Sequence, residues 1–266
     1  MISFLTDFGL QDEYAGVMKG VALSIHPEAR IVDISHGVAP GDVLGGAILL
    51  AASYPYFPAG TVHVAVVDPG VGSARKILAA AMAGSIFLAP DNGLLSMVFD
   101  REQITSLVSV ENSAYFLKNP SATFHGRDIF ASVAAHISLG LPISRLGPSL
   151  DPRMAARLDM CAPARAENGD FCGQVLAADR FGNLMTNICE NVFQEILTTY
   201  KGRLEILVAG KALSGVYKTY AEAPDQALIA LVGSRGYLEI AVAGGSAGEV
   251  LGASRGTKVL IRQAKA

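Results

Sequence analysis

The sequence is short of charge, of cysteine and of long apolar runs, and each scarcity excludes a class of function. Only 17% of its 266 residues are charged, and 21 basic against 24 acidic side chains leave a net charge of −3. That balance offers no electrostatic footprint for nucleic acid or for an anionic membrane, which favours small-molecule chemistry. Cys161, Cys172 and Cys189 are an odd set without C-x-x-C spacing. Such usage suits a reducing cytoplasm, supplies neither a disulfide framework nor a zinc site, and reads as three small core residues. No apolar run approaches the ~20 residues that span a bilayer. The opening MISFLTDFGLQDEYAG lacks a basic segment and carries acidic residues before an apolar core can form, so no secretory signal is expected. A cytoplasmic protein is the expectation.

Apolar residues are plentiful, at 51%, enough to bury a core in one large domain or in a larger and a smaller one. Up to residue 160 the pattern alternates short β-branched runs with helical stretches. ISFL (2–5), RIVDIS (30–35) and TVHVAVV (61–67) read as strands, and DEYAGVMKGVALSIH (12–26) and PGDVLGGAILLAASY (40–54) as helices. The first helix is expected to carry acidic residues in its first turn, and the second to take Asp42 as its N-cap. TVHVAVV is nearly continuous, as in a parallel strand covered on both faces. The expected fold class is therefore α/β, with an N-terminal layered domain (1–160) around a mostly parallel sheet. From 161 to 266, short alternating segments such as RLEILVAG, QALIALVG and YLEIAVAG sit between turn residues, and helical signals thin out to ENVFQEIL (190–197). These indicate a smaller C-terminal β domain, barrel-like or sandwich-like.

Four polar clusters fall at the carboxyl ends of predicted strands, where α/β proteins keep their chemistry. They are LTDFGL (5–10) with Asp12 beyond it, DPGVGSAR (68–75), APDNGLLS (89–96) and TFHGRDIF (123–130). Asp-Phe-Gly also occurs in protein kinases, where the aspartate holds magnesium. Here no strand lysine, no His-Arg-Asp loop and no preceding nucleotide lobe accompany it, and no G-x-x-x-x-G-K-[ST] phosphate loop follows. Several residues have plain structural readings. His63 lies inside an apolar run, His26 and His136 end helices, and Asp91 shapes its turn. His125 and His36, in predicted polar loops, admit a structural or a functional role. Asp7, Asp12, Asp68, Asp91, His125 and Asp128 could serve a metal-dependent phosphoesterase, although Arg75 and Arg127 would compete with a cation beside them.

Taken together, LTDFGLQDEYAGVMKG, VDISHGVAPGDVLGGAILL, PAGTVHVAVVDPGVGSARKILA, LAPDNGLL, FHGRDIFA, ADRFGNLMTNI and GSRGYLEIAV resemble, in this order, the S-adenosyl-L-methionine (SAM) hydroxide adenosyltransferases. These are adenosine-forming SAM hydrolases, relatives of the fluorinase and chlorinase enzymes. The resemblance implies attack of water or hydroxide on ribose C5′, with adenosine and L-methionine as products and neither metal nor cofactor. It also implies a homotrimer with sites at subunit interfaces, and no nucleic-acid or membrane partner. Carried over by position, Asp68, Arg75 and His125 would act on the attacking water, and Asp7 would take the ribose hydroxyls. Phe8, Phe124 and Phe181 would wall the pocket. Asp179, Ser234 and Arg235 would hold the methionine end, with Asp12 as a further contact, and Asn183 the adenine edge. Departures from the halogenases are an aspartate at 68 for an aromatic hydroxyl, Gly126 for a serine, no inserted loop near residue 80, and Val242 for an arginine. Halide chemistry is therefore not expected, and adenine contacts around 242–248 fall to the backbone. A SAM- or adenosine-binding sensor without turnover is a further alternative.

Overall fold

The computed structural model describes residues 1–264 and divides into two compact units, Met1–Leu158 and one beginning at Asp159. In the first unit, β1 (Ile2–Thr6) leads to helix α1 (Tyr14–Ile25), β2 (Ile31–Ser35), helix α2 (Val43–Ser53) and β3 (Val62–Val66). Then come the hairpin β4 (Ile77–Met82) and β5 (Ser85–Pro90), the short helix α3 (Ser96–Phe99), β6 (Ser106–Ser109) and helix α4 (Ser132–Ser138). The sheet runs β2-β1-β3-β5-β4-β6. Pairings among β2, β1, β3 and β5 are parallel, and β4 pairs antiparallel with β5 and β6.

Every residue of β1 and β3 is buried, because helices cover both faces of a parallel sheet and leave no reason for alternation. Phe4, Val64, Leu88, Phe130 and Val133 form the centre of this core. Helix α1 turns Ala15, Met18 and Ala22 inward at helical spacing. It starts at Tyr14, after Asp12 and Glu13, so its first turn carries no acidic residue. Asp42 does cap α2, accepting the Gly45 N–H at 3.0 Å. The antiparallel half of the sheet was not apparent from sequence, since ILAAAM and SIFLAP lack alternation.

The chain runs from β1 to β2 on one side and then crosses back to β3 on the other. Connections therefore leave the carboxyl ends of β1 and β3 in opposite directions, which opens a crevice there in open α/β sheets.

The second unit contains β7 (Ala164–Arg165), β8 (Phe171–Ala178), β9 (Leu184–Cys189), helix α5 (Glu190–Thr199), β10 (Leu204–Val208) and β11 (Lys211–Ala212). It continues with β12 (Leu228–Val232), β13 (Tyr237–Val242), helix α6 (Ala247–Leu251) and β14 (Lys258–Gln263). All strand pairings are antiparallel, in the order β11-β10-β14-β8-β9-β13-β12 with β7 on β8. Leu184, Phe193, Ile196, Leu238, Ile240 and Val259 fill its own core. The cysteines depart from expectation: Cys161 and Cys172 are exposed and Cys189 is half-buried. Cys172 stands on the outward side of β8, next to the inward Gly173. No helix among the described residues is long and apolar enough to cross a membrane.

Candidate active site

Asp7 follows the last residue of β1, and Asp68 lies two positions past the end of β3, so both emerge at the crevice. The Gly41 N–H donates to Asp7 Oδ2 at 2.7 Å. Beyond Asp68, the Val71 N–H bonds back to the Asp68 carbonyl and the Ser73 N–H to the Gly70 carbonyl, two tight turns that fold Arg75 back onto Asp68. Gly72 has φ +78°, and a Cβ there would lie 2.5 Å from the Ala122 carbonyl oxygen. Only glycine lets this loop press against the segment leading to His125.

Arg75 Nε donates to Asp68 Oδ1 at 2.7 Å and its Nη2 to Asp68 Oδ2, a two-pronged ion pair that a planar guanidinium suits. Both side chains are nearly buried. Nη2 also lies 3.0 Å from His125 Nδ1. A guanidinium only donates, so Nδ1 accepts and the proton of the neutral imidazole sits on Nε2. Burial, and then the Arg75 charge, push the His125 pKa below its ordinary value against the pull of Asp68 and Asp128. His125 precedes a π-helical turn, Gly126–Ala131, that leads into α4; such turns are frequent at functional sites.

A cavity of about 260 Å³ opens here, lined by Asp7, Phe8, Asp68, Phe124, His125 and Gly126 among others. Phe8, Tyr14 and Phe124 pack together with ring centres 5.0–5.8 Å apart, Phe124 edge to face with each of the other two. Sequence reasoning missed Gly41, whose contribution is a backbone N–H and carries no side-chain signal. Asp12 is exposed and lines neither this cavity nor the one below. Asp128 is spent on Arg127 at 2.6 Å and on the Ser121 N–H, and Asp91 accepts the Ala156 N–H at 2.7 Å. Asp7, Asp68, Asp91 and Asp128, four of the carboxylates considered for a metal site, are thus engaged separately. Among the described residues no group of three or more His, Cys, Asp or Glu is disposed to hold a metal ion. His36 and His63 are buried.

A larger cavity, about 760 Å³, lies in the second unit. All six expected residues of that unit, Asp179, Phe181, Asn183, Ser234, Arg235 and Val242, line it. The first three belong to the turn between β8 and β9. Asp179 Oδ1 accepts the Phe181 and Asn183 N–H groups at 2.9 Å, and Oδ2 accepts Asn183 Nδ2 at 3.0 Å. Asp179 therefore fixes the Asn183 amide with its nitrogen inward and its carbonyl oxygen free to accept. Phe181 is 76% exposed. Gly244 and Gly245 also line the cavity. Tyr220 and Glu239, with the Tyr220 hydroxyl donating to Glu239 Oε1, also line it. Burial first, and then Glu239, raise the Tyr220 pKa. Neither was foreseen, because Glu239 reads as an ordinary outward residue of YLEIAV and Tyr220 sits in an isolated turn.

Residues 2–147 match the N-terminal domain of the SAM hydroxide adenosyltransferases, and residues 173–260 match their C-terminal domain. The chain belongs to the SAM hydroxide adenosyltransferase family. It is 38% identical to the (R)-S-adenosyl-L-methionine hydrolase of Thermus thermophilus, covering 97% of this chain and 98% of that one. With the enzyme of the same name from Salinispora tropica it shares 36% identity over 98% and 97% of the two chains. A fluorinase from Actinoplanes is more distant, 29% identical over 91% of this chain and 90% of its own. A solved structure of a conserved protein from Thermotoga maritima superposes with a TM-score of 0.91 at 39% identity, covering 99% of this chain and all of the other. In this family member β4 and β5 are joined by the two-residue turn Ala83-Gly84, with φ of 50° and 70°.

Proposed function

We propose that this SAM hydroxide adenosyltransferase hydrolyses SAM, with water attacking ribose C5′ as the C5′–S bond breaks to give adenosine, L-methionine and one proton. The observation that carries the reading is the Asp68–Arg75–His125 cluster beside the cavity at the crevice. The sulfonium leaves as a neutral thioether, so no general acid, metal or cofactor is required at that end. The protein must instead supply an oriented nucleophile stripped of competing water.

Water, with a pKa of about 15.7, is a poor nucleophile at neutral pH. The Arg75 charge favours its hydroxide form, and the fixed hydrogen bonds orient it. His125 Nδ1 is already taken by Arg75, which leaves a lone pair of Asp68 as the acceptor for the proton. With Asp7 Oδ2 held by Gly41, Oδ1 is left to receive the ribose hydroxyls. Phe8 and Phe124 exclude water. In the second-unit cavity, Asn183 and the backbone at 242–245 hold the adenine, and Phe181 and Val242 form an apolar wall. Asp179, Ser234 and Arg235 take the amino-acid end, with Asp12 as a further contact. We further propose a cytoplasmic homotrimer in which the first unit of one subunit completes a site with the second unit of its neighbour. The 76% exposed Phe181 supports a covering partner.

Incubating the pure protein with SAM and resolving the products by chromatography tests the reading. Equal amounts of adenosine and L-methionine, unchanged by EDTA, are expected. Binding of SAM without adenosine would instead make the protein a sensor. Phosphoester cleavage that depends on added divalent metal would make it a phosphoesterase.

A further inference from the structure

His36 is 3% exposed and outside the cavity lining, yet two of its contacts reach the residues on either side of Asp7. Its Nδ1 lies 2.7 Å from Thr6 Oγ1. Thr6 Oγ1 accepts the Phe8 N–H at 3.2 Å and has a proton to give Nδ1; in that arrangement the imidazole proton sits on Nε2, toward the Asp33 carboxylate. The Gly9 N–H donates to the His36 carbonyl at 2.8 Å. Nε2 faces Asp33 Oδ1 at 3.1 Å, an electrostatic contact rather than an aligned hydrogen bond. The other Asp33 oxygen takes the Lys19 ammonium at 2.5 Å. Burial would raise the Asp33 pKa, but Lys19 and His36 outweigh it and keep the carboxyl ionised.

We propose that His36 is a positioning residue: through Thr6 and Gly9 it clamps the turn that aims Asp7 at the ribose hydroxyls, and Asp33, steadied by Lys19, fixes its tautomer and ring orientation. A strand end followed by a Phe-Gly turn has no ladder of its own to hold it. The clamp replaces that ladder on one side of Asp7 with a hydroxyl and on the other with a carbonyl. The Gly41 N–H, from the same stretch after β2, holds the carboxylate itself. The inference rests on the ribose role proposed for Asp7.

Thr6→Val keeps the buried volume and removes the hydroxyl, and Thr6→Ser restores it. His36→Asn keeps a polar atom near the Nδ1 position, whereas His36→Ala does not. Affinities are measured by calorimetry for adenosine and for 2′,3′-dideoxyadenosine, beside kcat/KM for SAM and the thermal midpoint of each variant. Thr6→Val and His36→Ala are expected to weaken adenosine binding and kcat/KM by roughly 10- to 100-fold, the size of a lost charge-assisted bond. Affinity for the dideoxy analogue should change less than about threefold, since it offers Asp7 nothing to hold. Thr6→Ser and His36→Asn should recover most of the loss. Equal losses on both nucleosides, or no loss, overturn the proposal. If Thr6→Val and His36→Ala do not fold, the comparison passes to Thr6→Ser and His36→Asn, whose residual losses must again be confined to adenosine. Wild-type protein that does not turn over SAM sinks the functional reading instead, and that is seen before any variant is made.

Discussion

Arg75 serves two partners at once, with two donors on Asp68 and one nitrogen shared with His125. A lysine is a point charge and cannot hold that geometry. Arg75→Lys is therefore expected to lower kcat about 100-fold while KM for SAM moves less than about threefold, because the loss falls on the attacking water. Parallel losses in both would contradict the role. The same contact fixes a pH dependence. A protonated His125 could not accept from Arg75, and its folded pKa lies below 6.5. The rate should hold above pH 6.5 and decline as pH falls through that lowered pKa. A pH–rate profile whose acid limb is centred above 6.5 would be inconsistent. His63 gives a stability counterpart. Burial lowers its pKa from 6.5 to about 4, so between those values the unfolded chain binds a proton that the folded one refuses. Stability is full above pH 6.5 and falls toward pH 4, by about 3 kcal/mol in all. Urea unfolding at several pH values should show this fall, and His63→Phe, in its cage of Tyr54, Phe57 and Phe87, should flatten it.

The crevice between β1 and β3 was readable because β-branched runs followed by polar residues mark strand ends, and Asp7 and Asp68 stand at two of them. The join between the 68–75 loop and the His125 segment was not readable, since it depends on the positive φ of Gly72 and its approach to Ala122. Gly72→Ala should cost ~1–3 kcal/mol from backbone strain alone, and more from the clash. Turnover should fall at least tenfold, measured beside the thermal midpoint, as Arg75 and His125 are forced apart. Gly16→Ala is the control: it lies in α1 with open space around its Cβ, and should be neutral or stabilise by ~0.5–1 kcal/mol. Sequence also failed to show β9, whose LMTNIC has no alternation, and the Tyr220–Glu239 pair, which only the folded sheet brings together. Asp12 was singled out through resemblance and stands exposed, outside the lining of both cavities.

Each unit carries its own cavity, with the residues proposed to act on water at the first and those proposed to hold adenine and methionine at the second. Light scattering should give three times the 27.8 kDa chain mass, and a monomer that still turns over SAM would contradict the shared-site proposal. Chemistry at C5′ is the central claim, and isotope placement tests it most directly. Turnover of SAM in ¹⁸O-labelled water, followed by mass spectrometry, should place one labelled oxygen on the 5′-hydroxyl of adenosine and none in L-methionine. Methylthioadenosine in place of adenosine, or adenosine without the label, would contradict it.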